Sequence, residues 1–263
     1  MRVYTLTHIK GGVAKSTTTI NLGYALAKLG YKTLVIDADA QCNTTFTLTG
    51  RMDEEKNGTL YEVFKGQPPK RLVEIIKPTQ QENLYIAEGS FWLYEAEVEL
   101  ATIPNREKIL RRSLKGLKEF DYILIDTSPS LGIMTLNGWY AADALIVPIT
   151  LTTYGMVGIR ILEHHLAKVK SYSDEGDFDL PIFGVIGTMD DHTKQSEKML
   201  AVIRDHFGDL VFRTVIPRNI KVEEANNQSI SLFEYAPRST GALAYAQLVK
   251  EILEREEGAD DGQ

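Results

Sequence analysis

Five short runs, "VYTLTHI", "TLVIDAD", "YILIDTS", "ALIVPIT" and "IFGVIGTM", are almost continuous in β-branched and other apolar residues. A strand with one wet face alternates polar and apolar side chains; these runs do not. They match parallel strands covered by helices on both faces. Amphipathic helical patterns lie between them. Leu22, Ala25, Leu26 and Leu29 fall at i, i+3, i+4 and i+7, and Gly30 follows as a stop. Leu110, Ser113, Leu114 and Leu117 repeat the spacing. Strand–helix alternation of this kind predicts an α/β fold, a doubly wound and mostly parallel sheet with helices on both faces. A chain of 263 residues with 43% hydrophobic content can build one such domain without needing a second. The domain is expected to span residues 1–253. The stretch from Arg51 to Pro104 is less regular and reads as surface helices and short turns, with "GQPPKRL" as a loop. After Leu253 the sequence "EREEGADDGQ" is acidic and is expected to fray as a disordered tail.

The first strand runs into "HIKGGVAKSTTT", His8 to Thr19, and then into the first helix. A phosphate loop needs that context. Its backbone N–H groups and the helix N-terminus aim positive charge at an anion. The common pattern is G-x-x-x-x-G-K-[ST]. Lys15 and Ser16 fit its end, Ile9 and Ala14 stand where it has glycine, and Lys10 is an additional lysine. Gly11 and Gly12 let the backbone approach a ligand closely. Lys15 is expected to reach the β- and γ-phosphates, Ser16 to ligate Mg²⁺, and Thr17 to hold the α-phosphate, with Val13 and Ala14 completing the loop. The alternative, a glycine turn that merely opens a helix, does not account for the coincidence of strand, glycines, Lys-Ser and helix.

"KGGVAKSTT" resembles the deviant Walker A box, K-G-G-x-G-K-[ST], of the ParA/MinD/Soj ATPases, a P-loop NTPase fold. The resemblance implies that Lys10 is the signature lysine, which crosses a dimer interface to the partner subunit's nucleotide. Two bound ATP molecules then face each other, and a lysine in trans offsets their charge much as an arginine finger does. Ala14 departs from the family, where glycine is usual, and makes normal hydrolysis a separate question from ATP binding. "LVIDADAQCNTT" resembles the family's switch I, with Ala40 where proline is common. By that likeness Asp39 orients the attacking water and Asp37 supports the magnesium shell. "YILIDTSPSLG" is four apolar residues and Asp126, a Walker B strand, followed by a likeness to switch II; Asp126 is expected to hold Mg²⁺. Later blocks, "GVIGTMDDHT", "VIPRN" and "FEYAPRSTGALAY", extend the likeness to about Leu253. Carried over, Met189, Pro217 and Arg218 border the adenine, although simple packing at strand ends explains them nearly as well.

The implied function is ATP-dependent partitioning or positioning. Mg-ATP drives a homodimer that binds double-stranded DNA without reading sequence, and a ParB-like adaptor stimulates hydrolysis and release. The implied location is cytoplasmic and nucleoid-associated. Net charge is −7, but Lys194 to Val222 holds six Lys or Arg (Lys194, Lys198, Arg204, Arg213, Arg218, Lys221) against three acids (Glu197, Asp205, Asp209). A local basic segment of this kind suits phosphate backbones. Lys194, Lys198, Arg213, Arg218 and Lys221 are its candidate contacts.

Other readings compete. A MinD-like membrane-cycling ATPase requires a basic amphipathic C-terminal helix, whereas this end carries Glu254, Glu256, Glu257, Asp260 and Asp261, which anionic lipid repels. A positioning ATPase for a non-DNA cargo and an ATP-dependent ligase share the fold. A scaffold that barely hydrolyses ATP is a further alternative raised by Ala14. An iron–sulfur reductase component is excluded by the single cysteine, Cys42. No apolar run approaches the length of a membrane span, and the start is too quickly polar for a signal peptide. Without a preceding helix-turn-helix, operator-specific repression is not expected. His164 and His165, adjacent on a helix, point apart and cannot chelate one metal.

Overall fold

The computed structural model describes residues 1–51, 56–65, 68–174 and 178–260. Among them, eight strands form one sheet: β1 (Arg2–Leu6), β2 (Thr33–Ala38), β3 (Ile76–Pro78), β4 (Leu84–Ala87), β5 (Tyr122–Thr127), β6 (Ala144–Thr150), β7 (Ile182–Asp190) and β8 (Ile216–Pro217). Their order is β3-β4-β2-β5-β1-β6-β7-β8, and only the β3–β4 pair is antiparallel. The five expected apolar runs are β1, β2, β5, β6 and β7, and β2, β5 and β6 are buried at every position, as strands covered on both faces must be.

The helices are α1 (Lys15–Lys28), α2 (Asn43–Thr49), α3 (Leu60–Lys65), α4 (Leu93–Leu100), α5 (Ile109–Ser113), α6 (Ile133–Ala141), α7 (Thr153–Tyr172), α8 (Lys194–Phe207), α9 (Ile220–Asn227), α10 (Leu232–Tyr235) and α11 (Thr240–Asp260). Side chains alternate between the two faces of each strand. Tyr4, Leu6, Val35 and Leu124 pack with Leu22 and Leu26 of α1 and with Tyr245, Leu248 and Ile252 of α11. Val3, Leu34, Ile36, Ile123 and Ile125 face the opposite way, onto α3 to α6. Leu145, Val147, Ile149 and Val185 continue that second layer beneath α7 and α8.

Three expectations are corrected. The irregular stretch from Arg51 to Pro104 does contain α3 and α4, but it also adds β3 and β4 to the sheet. β4 lies parallel to β2, Thr33 opposite Leu84 through Ile36 opposite Ala87. Four residues are too few to show a strand's periodicity, and pairing with a buried neighbour supplies what the local pattern lacks. The helix read from Leu110 onwards stops at Ser113, and Leu114 and Leu117 reach the core from a turn closed by Gly116 at φ 95°. The expected tail from Glu254 is helical: α11 runs to Asp260. Glu256 is buried, where its carboxylate accepts hydrogen bonds from Tyr4 Oη and, at 2.5 Å, from Tyr122 Oη. Arg255 lies over the Phe212 ring at 4.1 Å and donates to the carbonyls of Phe183, Leu210 and Val211. Gly66 and Gln67 of the expected loop, and Asp261 onwards, lie outside the described residues.

Candidate nucleotide-binding site

Sheet register brings the acidic residues together. Leu6 pairs with Asp126, and Asp126 pairs with Asp37 across β5 and β2. The loop that leaves β1 therefore rises beside both carboxylates, at the carboxyl edge of the sheet where the strand order reverses. Open α/β sheets bind ligands there. α1 begins at Lys15 with no side-chain cap and no acid in its first turn, so its first N–H groups remain open to an anion.

Gly12 and Ala14 both have left-handed backbones, at φ 72° and 67°. Ala14 is thus an alanine in the conformation that glycine adopts freely, and the departure seen in the sequence has a backbone cost. Lys15 is buried; desolvation pulls its pKa down, and the charges of Asp126 and Asp39 oppose that. Lys10 is exposed, its Nζ lies 5.2 Å from the centre of the Tyr154 ring, and no carboxylate among the described residues pairs with it.

Each aspartate is held differently. Asp37 is fully used within the protein: Oδ2 accepts from Thr45 N at 2.7 Å and Thr45 Oγ1 at 2.6 Å, and Oδ1 accepts from Asp39 N at 3.2 Å. Gly89 closes over it, since a Cβ there would lie 2.8 Å from the Asp37 carbonyl oxygen. Asp37 therefore fastens α2 to β2. Asp126 accepts from Thr44 Oγ1 at 2.7 Å through Oδ2, while its buried Oδ1 has no hydrogen-bond partner. Asp39 lines the open space and accepts from Gln41 N at 3.0 Å.

The carboxyls of Asp37 and Asp126 are held above the usual range, in both cases chiefly by burial. The neighbouring Asp126 adds to the effect at Asp37, and the Ser16 and Thr44 hydroxyls and Lys15 oppose it at Asp126. Asp39 is also raised, again by burial first. Three such groups with one buried lysine form a site deficient in positive charge. The free Oδ1 of Asp126 and the Ser16 hydroxyl beside it suit a hard dication with oxygen ligands.

A cavity of about 500 Å³ opens above the loop. Gly11, Gly12, Ala14, Lys15, Ser16 and Thr17 form its floor and Asp39 one wall. Val13 lies beneath the floor, buried, its carbonyl accepting from Thr188 Oγ1 at 3.2 Å. Of the three residues expected near the adenine, Met189 lines the cavity. Pro217 and Arg218 do not; Pro217 lines a separate cleft with His192 and Thr240. The wall is completed by Phe46 and Thr47 of α2 and by Asn226 and Asn227 of α9, which the sequence did not single out. Asn226 and Asn227 gave one signal, polarity at the end of α9, which many solvated helices share.

The basic segment divides. Lys194, Lys198 and Arg218 are exposed and unpaired among the described residues. Arg213 is held by Glu254 at 2.7 Å and Glu251 at 3.5 Å, and Lys221 by Glu224 at 2.7 Å. The helical continuation of α11 past Leu253 brings Glu254 into place beside Glu251.

Fold and site together define a P-loop nucleoside-triphosphatase fold carrying a lysine-rich variant of the loop. A family model described as an AAA domain matches residues 1–177. The sporulation initiation inhibitor protein Soj of Bacillus subtilis is 35% identical over 253 residues, covering 95% of this chain and 98% of that one. The chromosome partitioning protein ParA of Caulobacter vibrioides is 35% identical over 260 residues, covering 97% and 95%. Among solved structures, cobyrinic acid a,c-diamide synthase of Mycobacterium smegmatis, with bound ATP analog and magnesium, superposes with a TM-score of 0.82 at 29% identity, covering 98% and 97%. The chain belongs to the Soj/ParA family of chromosome-partitioning ATPases.

Proposed function

We propose that this chain is an ATP-dependent partitioning protein that cycles between a nucleotide-bound homodimer on DNA and a free monomer. ATP and Mg²⁺ are its cofactors in this reading. The loop N–H groups from Gly11 to Ser16 and the α1 N-terminus cradle the phosphates, and Lys15 offsets the β- and γ-phosphate charge. Thr17 lies on the same floor, by the α-phosphate. Ser16 and the free Oδ1 of Asp126 would hold the metal ion, which supplies charge neutralisation across the phosphates. Asp37 keeps α2 in register, and Asp39 orients the attacking water, a role its position on the cavity wall supports.

One observation carries the reading. Lys10, exposed next to the glycines of the cavity floor, has no acidic partner among the described residues, and beside it α7 exposes Tyr154, Val157 and Ile161, which are 73%, 51% and 41% exposed at i, i+3 and i+7. A free cation next to an unpartnered apolar stripe, on the face that holds the phosphates, fits a second copy of the chain presenting its own nucleotide. Lys10 then acts in trans on the partner's phosphates. The dimer would place Lys194, Lys198 and Arg218 of two subunits against one phosphate backbone, with Arg213 and Lys221 secondary because they are already paired. A ParB-like adaptor would stimulate hydrolysis and release.

The test is binding to non-specific double-stranded DNA with ATP, with ADP and without nucleotide, across a salt series. The expected outcome is binding only with ATP, weakening steeply as salt rises. Binding independent of ATP, or insensitive to salt, overturns the proposal. No helix among the described residues is long and apolar enough to cross a membrane, and the acidic end of α11 disfavours anionic lipid. ATP-dependent flotation on anionic liposomes without DNA binding would favour the membrane-cycling reading instead.

A further inference from the structure

The roles assigned above make no use of His8. Its side chain is 1% exposed, and its Nδ1 accepts a hydrogen bond from the backbone N–H of Lys10 at 3.0 Å. Because Nδ1 accepts, the ring proton belongs on Nε2, which lies toward the Gly155 backbone but has no hydrogen bond of good geometry among the described residues. The ring lies instead against α7, so closely that a Cβ on Gly158 would sit 2.5 Å from its Cε1. Burial, and then the charge of Lys15, push its pKa down to about 4, which keeps the ring neutral and the Nδ1 lone pair available at neutral pH. A buried ring with one nitrogen unpaired is a cost to the fold.

Two holders of Lys10 meet at this ring. His8 Nδ1 takes the Lys10 backbone. α7, packed on the other side of the same ring, supplies Tyr154 beneath the Lys10 ammonium and the exposed stripe that follows it. Backbone and side chain of Lys10 are therefore both referenced to the first turns of α7.

We infer that His8 is the positioning residue for Lys10: its Nδ1 fixes the Lys10 backbone so that the ammonium projects from the rim instead of folding back into the loop. The inference rests on the assignment of Lys10 to the partner's nucleotide. A residue that merely fills space needs only shape; a positioning residue needs an acceptor where Nδ1 stands. Asparagine can put Oδ1 there. Glutamine reaches the Nε2 position instead, and leucine has bulk without an acceptor.

The experiment compares the full chain with His8→Asn, His8→Gln, His8→Leu and Lys10→Ala. It reads exchange of the Lys10 amide by NMR, affinity for a non-hydrolysable ATP analogue, and ATP-dependent dimerisation. Thermal melts confirm folding of each variant. His8→Leu and His8→Gln are expected to lose protection of the Lys10 amide and to dimerise about tenfold more weakly, roughly the worth of one hydrogen bond, while analogue affinity stays within about threefold of wild type. His8→Asn is expected to restore both. Dimerisation of His8→Leu at the wild-type level overturns the inference. So does an Asn variant as impaired as the Leu variant, which would make ring shape the important property. Equal loss of analogue affinity would make His8 a prop of the whole loop. If Lys10→Ala dimerises like wild type, the trans assignment fails and the dimerisation argument falls with it, while the Lys10 amide still reports whether Nδ1 holds that backbone.

Discussion

At the scale of the residue, Ala14 is the position where composition and geometry disagree. The loop needs a left-handed backbone there, and an alanine supplies it at φ 67°. Replacing Ala14 with glycine is expected to stabilise the nucleotide-free protein by about 1 kcal/mol, because glycine adopts this conformation without the Cβ clash. Equilibrium denaturation measures it, and a destabilised Ala14→Gly protein would show that the methyl contributes packing the backbone argument ignores. The loop itself was legible in the sequence because its determinants lie within a dozen consecutive residues, His8 to Thr19. Asp37, Asp39 and Asp126 were legible because each lies within a residue of the end of an apolar strand. The far wall was not. Phe46, Asn226 and Asn227 come from helices far apart in the chain, and nothing local distinguishes an asparagine facing a cavity from one facing water.

At the scale of the element, α11 shows why a charge run can mislead. "EREE" reads as solvated, yet Glu256 within it is buried, as is Glu251 three residues before the run begins. Tyr4 and Tyr122, the partners of Glu256, lie on strands far earlier in the chain, and both phenols are pushed above their ordinary range, first by burial and then by that carboxylate. A solvated tail could be removed freely. Here Glu256→Ala, or truncation after Leu253, is expected to cost about 2–4 kcal/mol, since two buried hydroxyls lose their acceptor. An unchanged unfolding midpoint would restore the reading of a frayed tail.

Glu251, on the same helix, supplies a pH test. Burial raises its pKa, but the backbone N–H groups of Arg213 at 2.6 Å and Thr214 at 3.0 Å, with the Arg213 charge, outweigh that and hold it below the usual range. A depressed carboxyl contributes stability above its unfolded pKa and loses it as pH falls through the folded value. Glu251→Gln is therefore expected to be less stable than wild type at pH 7, with the difference shrinking below about pH 4.5. Parallel stability curves for the two proteins over that range would contradict the assignment. β4 carries the same lesson as α11 in reverse. Its four residues were missed because only the sheet that receives them makes them a strand.

At the scale of the whole molecule, the face that carries the phosphate cavity also carries Lys10, the Tyr154–Val157–Ile161 stripe and His8 beneath them. Lys15 needs only one chain to do its work. In the proposed reading Lys10 acts only when a second nucleotide stands opposite, so that reading stands or falls on association. The direct measurement is sedimentation with a non-hydrolysable ATP analogue of wild type and Lys10→Ala, alongside their affinities for that analogue as monomers. The account predicts an analogue-dependent dimer for the wild-type lysine, a monomer for Lys10→Ala, and analogue affinities within about threefold of each other. A Lys10→Ala protein that dimerises as readily, or that loses analogue affinity in the same proportion as dimerisation, contradicts it.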